Sequence, residues 1–141
     1  MAGNACEVRV GRLLEVRADR GYLTLDDVEA MRQSLTLAFE RIPDNRPAVI
    51  TADWRRASLM DGEAAQSASA MMVGFNHRIE RSAILVSNES PTAVLQFHHL
   101  VREAGHPQRR IFHFEDEVVA WLAELLTPEE RARLTEFLAR R

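Results

Sequence analysis

The chain contains no lysine, so all 18 of its basic residues are arginine. Chemistry that needs a side-chain amine is therefore excluded, which removes P-loop nucleotide binding, Schiff-base catalysis and the protein-kinase mechanism together. A GC-rich genome accounts for the bias, because it favours arginine codons. Cysteine occurs once, at Cys6, so no disulfide can close within the chain, and a reducing cytoplasm is the expected setting. The N-terminus has no cationic stretch leading into an apolar one, so no secretory leader is read there. No run of about 18 apolar residues occurs, and no helical membrane span is expected. The net charge is −3 with both signs mixed along the chain, which leaves no basic face for a dedicated nucleic-acid binder.

What is present fits one domain of 141 residues. A chain of this size buries roughly 68% of its unfolded surface and needs neither metal nor disulfide to hold it. Val8 and Val10, then Leu14 and Val16, alternate with polar residues on either side of Gly11, which predicts two short strands with a bend between them. Thr24, with Asp27 three residues on, opens a helix whose Val28, Met31, Leu35, Ala38 and Ile42 share one face. Ala48 to Ala52 is a compact β-branched run, the pattern of a buried central strand. Asp61 is placed to cap a second helix carrying Ala65, Ala68, Met72, Phe75 and Ile79 on one side, and Ala83 to Val86 reads as the next strand. Ser90-Pro91 starts a third helix, with a stripe of Val94, Phe97 and Val101, that Gly105 ends. Arg110 to Phe114 is a further short strand, followed by a helix burying Val118, Trp121, Leu122 and Leu125. Thr127-Pro128-Glu129-Glu130 launches a last helix. The order β-β-α-β-α-β-α-β-α-α predicts an α/β fold with a mixed, mostly parallel five-stranded sheet and helices packed on it.

Three stretches resemble the STAS family, in particular its stand-alone bacterial branch similar to the sporulation anti-sigma-factor antagonist. Gly21-Tyr22-Leu23-Thr24-Leu25-Asp26-Asp27-Val28 is similar to the pattern that opens the first helix of those proteins. Asp53-Trp54-Arg55-Arg56-Ala57-Ser58-Leu59-Met60-Asp61-Gly62 has an aspartate at the end of the central strand and a second eight residues later. Phe112, Val118, Trp121 and Leu122 resemble the branch's C-terminal pattern, with valine where alanine is usual. The resemblance implies a STAS-like domain over residues 1–126, with residues 127–141 as an extra C-terminal helix. That helix packs either on the same domain or on a second copy as a homodimer contact. The family's phosphorylated serine follows the second aspartate. Gly62 stands there, so the switch cannot operate at that residue.

The resemblance implies a non-catalytic regulatory or protein-interaction domain, with Asp53, Trp54, Ser58, Asp61 and Gly62 as the partner-binding set. Each also has a simpler role. Asp53 can bond the amides of the next turn, Trp54 can pack beneath the loop, and Asp61 can cap its helix. The alternative is a carrier of a lipid or other small apolar ligand. Met71, Met72 and Phe75, which otherwise fill the core, would then line an apolar groove. No cofactor fingerprint is present. His77, His98, His99, His106 and His113 include no metal-binding pair, because adjacent His98 and His99 point about 100° apart on a helix. No catalytic residue is assigned. Cys6 lies far from any cationic helix end, and Ser87-Asn88-Glu89-Ser90 lacks the spacing of a nucleophile elbow.

Overall fold

The computed structural model describes residues 3–140. Five strands, β1 (Asn4–Val10), β2 (Leu13–Ala18), β3 (Ala48–Asp53), β4 (Ile79–Leu85) and β5 (Arg109–Phe112), form one sheet in chain order. β1 runs antiparallel to β2, and the other neighbours are parallel. Gly11, at φ 54°, turns β1 into β2, and the register slips between Val8 and Val10. The helices are α1 (Leu25–Glu40), α2 (Gly62–Phe75), α3 (Pro91–Ala104), α4 (Glu115–Ala123) and α5 (Pro128–Ala139).

Because strand order follows chain order, each βαβ crossover of one hand places its helix on the same face. α1, α2 and α3 accordingly share one core with Leu14, Val16, Ile50, Ala52, Ile84 and Val86. The alternate strand residues Leu13, Val49, Ala83 and Leu85 face α4 and α5, with Val118, Leu122, Leu134, Phe137 and Leu138. Both faces are covered, which is why β2 and β3 are buried along their whole length.

The last helix is tied to its own sheet at both ends and in the middle. Thr127 and Glu130 form a capping box at its start. The second oxygen of Glu130 accepts the Arg12 backbone N–H at 2.8 Å. A Cβ at position 11 would overlap the Glu130 carboxylate, so glycine serves both the turn and the contact. Midway, Arg133 grips the buried Glu15 through two bonds of 2.7 and 2.8 Å. At the far end, Arg17 donates to the Phe137 carbonyl at 2.8 Å and Arg55 to that of Leu138 at 3.0 Å. These carbonyls have no partner within the helix, and cations at a helix C-terminus also complement its dipole.

Two local expectations are corrected. Ile79 does not extend the face of α2. A tight turn at Asn76–Arg78 ends the helix, and Ile79 opens β4, four residues ahead of Ala83. The buried side of α2 is therefore Ala64, Ala68, Ser69, Met71 and Met72. β5 spans Arg109–Phe112, so His113 lies past the strand, where its ring stacks on His98 at 6.4 Å.

Candidate functional site

In a parallel sheet the loops at the carboxyl ends of the strands are the usual place for function. Here three of them meet: residues 54–61 after β3, 86–90 after β4 and 113–114 after β5. Backbone bonds from Trp54 to Leu85 (2.8 Å) and from Val86 to Phe112 (2.9 Å) carry the strand alignment into these loops. Gln96 of α3 then bonds both the N–H and the C=O of Met60, at 2.8 and 2.9 Å, and fixes the β3–α2 loop against α3.

Asp53, 5% exposed, is fully engaged beneath this rim. One carboxylate oxygen accepts from the Arg55 backbone and from Arg55 Nε (3.1 and 2.9 Å). The other accepts from Arg17 Nη1 and Arg55 Nη2 (2.8 and 3.0 Å). Arg55 also reaches Glu115 at 2.7 Å. The Asp53 carboxylate holds Arg55 above its ordinary pKa, whereas burial lowers that of Arg17 against the opposing pull of Asp53. Asp53 thus joins β2, β3, α4 and α5. Trp54, 3% exposed, stands edge-on to Tyr22 and Phe97, with ring centroids 5.5 and 5.1 Å away. Neither side chain lies on the surface, so the partner-facing role expected of these two is withdrawn, and their simpler readings describe them.

Ser58, Asp61 and Gly62 are exposed together on the rim. Asp61 caps α2 by accepting the Ala64 N–H at 2.8 Å. A Cβ on Gly62 would meet nothing within 4 Å, so the first turn of α2 is open to an approaching surface. Met71 and Met72 are buried and Phe75 is partly buried, stacked on Phe39 at 5.1 Å.

Three shallow hollows share the 86–91 segment. One, of about 590 Å³, lies between Arg56, Ser58, Ser87 and Ser90. One of about 320 Å³ lies along Pro91, Leu95 and His98, and one of about 470 Å³ beside His113 and Phe114. Large apolar side chains face outward here: Leu95 in the second hollow is 69% exposed and Phe114 in the third 61%, and Leu59, next to Ser58 of the first, is 48% exposed. These three were not among the sequence candidates. Leu95 was legible in principle, because two residues from the buried Phe97 it falls on the opposite face of the helix.

The rim carries little that converges for chemistry. Ser90 is occupied in capping α3, and no hydrogen bond among the described residues joins a histidine to a serine. Among the described residues no cluster of three metal-ligating side chains occurs. Burial, with Glu7 and Glu15 adding to it, pushes the Cys6 thiol up to about 12, which keeps it protonated and unreactive at neutral pH.

No family model matches the chain, and no curated protein matches it. Its architecture is similar to the crystal structure of an uncharacterised protein of the DUF3478 family from Shewanella loihica PV-4, described as having a SpoIIAA-like fold. The TM-score is 0.63 at 21% identity, covering 86% of this chain and 95% of that one. The chain has a SpoIIAA-like, STAS-like fold.

Proposed function

We propose that this SpoIIAA-like domain is a non-catalytic regulatory module that binds a protein partner through the carboxyl-end rim of its sheet. The observation that carries the reading is that exposed Leu95 and Phe114 each line a hollow, that these hollows share one loop, and that exposed Leu59 lies next to Ser58 of a third hollow on the same loop. Apolar side chains set in a polar border are the composition of an interface centre and its rim. Ser58, Asp61 and Gly62 supply that polar border. Gly62 in place of the family's serine means that control by phosphate, if the partner requires it, acts at another residue. A bacterial cytoplasmic setting fits the composition.

The experiment is affinity capture with the tagged chain, followed by reconstitution with each purified candidate. Gly62→Glu and Leu95→Glu both alter the rim without touching the core. Each is expected to weaken the reconstituted complex at least tenfold. Leu37→Glu, an equally exposed apolar position on α1, is the control and leaves it unchanged. Equal affinity of both rim variants and wild type would remove the rim as the interface.

A further inference from the structure

The two edges of the sheet differ. β5 is four residues long, whereas β1 runs for seven and, among the described residues, pairs only with β2. A long free edge is a template for another strand unless its side chains prevent it. Along β1, Asn4, Cys6, Val8 and Val10 are half-buried on one face, and Cys6 and Val8 pack against the core shared with α1. Ala5, Glu7 and Arg9 are exposed on the other face, where a hollow of about 590 Å³ separates Ala5 and Glu7 from Arg133 and Arg140. Within this hollow Glu7 stands directly across from Glu15, and like charges so placed repel. Glu15 is matched by Arg133 through two bonds, but among the described residues Glu7 bonds only Arg9 of its own strand. Both members of that pair are about half exposed, 51% and 52%, so it contributes little and is free to exchange.

Two copies joined along this edge by a two-fold axis run antiparallel, with one residue opposite its own counterpart. The charges discriminate between the possible registers. Centred on Glu7, the pairing sets two carboxylates face to face. Centred on Cys6, it sets Glu7 against Ala5 and Arg9 against Gly3, with no charge matched. Centred on Val8, it sets Glu7 of each copy against Arg9 of the other, an opposite-charge pair on either side of the axis. On the opposite face the same register places Val8 beside Val8 and Cys6 beside Val10, which extends the half-buried apolar row across the junction. The slip between Val8 and Val10 adds local twist to the edge. A second copy carries the same twist, where a flat foreign strand does not.

We propose that two copies of this chain dimerise edge to edge through β1, in the antiparallel register centred on Val8, so that their sheets become continuous and reciprocal Glu7–Arg9 pairs lock the join. The interface is independent of the partner-binding rim, which lies at the carboxyl ends of β3, β4 and β5 and stays open. A junction of one short strand on another is at the small end of specific interfaces, so the dimer is weak and its population depends on concentration.

The test is sedimentation velocity of the full chain over a concentration series from micromolar to millimolar, with circular dichroism to confirm that each variant folds. The wild type is expected to pass from monomer to dimer. Glu7→Arg and Arg9→Glu each set like charges together across the junction, and each is expected to weaken self-association at least tenfold. The two faults are complementary. One variant presents two arginines and the other two glutamates, so an equimolar mixture of them is expected to form a heterodimer about as tightly as the wild type pairs with itself. The double variant Glu7→Arg/Arg9→Glu is likewise expected to recover the homodimer. Leu95→Glu, on the rim, leaves it unchanged. A wild-type chain that stays monomeric throughout, a dimer indifferent to both single substitutions, or a mixture that remains monomeric overturns the proposal.

Discussion

Asp53 occupies the position at the end of a central strand where an exposed carboxylate would serve catalysis or phosphorylation. Each of its oxygens instead accepts two hydrogen bonds, all from Arg17 and Arg55. Removing that charge leaves the buried Arg17 guanidinium without its counter-ion, which costs about 3–5 kcal/mol. Asp53→Asn is accordingly expected to lower the urea midpoint with little change in slope, as followed by circular dichroism. A variant as stable as wild type would mean that the cluster contributes no net stability. The arginines act together here. Arg17 lies 4.1 Å over the Phe137 ring while its nitrogens hold Asp53 and a helix carbonyl, so one side chain couples charge, cation–π contact and capping. The sequence shows Asp53 and its strand plainly. It does not show that arginines 36 and two residues away in the chain consume the carboxylate, because that is settled by side-chain packing across the sheet.

At the scale of elements, the signals that proved informative were local and chemical. Thr24, Asp61, Ser90 and Thr127 cap the helices where the sequence placed them, and Gly105 adopts the left-handed conformation that ends α3. Periodicity was less secure where a helix passes directly into a strand. Ile79 continues the spacing of α2 but belongs to β4, since a three-residue turn just after Gly74-Phe75 shifts the chain. The apolar rim was harder still to see, as Leu59 and Phe114 lie in loops and only folding sets them near α3. Asp61 offers a separable test of cap and surface. Asp61→Ala is expected to destabilise by about 1 kcal/mol and lower the melting temperature by about 2–4 °C, while Asp61→Ser restores most of the loss. If partner affinity falls equally in both variants, the carboxylate itself contacts the partner and its capping role is incidental to binding.

At the scale of the whole molecule, α5 is part of the core. Leu134, Phe137 and Leu138 cover the sheet face that presents Leu13, Val49, Ala83 and Leu85, and Glu130, Arg133, Arg17 and Arg55 hold the helix there. Burying each of the three large side chains contributes about 1.5–3 kcal/mol, which together is comparable with the full stability of an ordinary domain, about 5–15 kcal/mol. A chain ending at residue 126, although it retains every strand, is expected to bind a hydrophobic dye and to lose its sharp thermal transition. A truncated chain that melts cooperatively near the wild-type temperature would show the sheet face to be stable uncovered.

The bond from the Arg12 backbone to Glu130 spans 118 residues of chain. Since synthesis proceeds from the N-terminus at roughly 5–20 residues per second, β2 leaves the ribosome several seconds before the helix that covers one of its faces. During that interval α1, α2 and α3 can close the opposite core, while Leu13 and Val49 wait uncovered. Nascent chains are thus expected to pass through a half-covered state, whose apolar face is what chaperones recognise, and Gly11 must already hold its turn when Glu130 arrives.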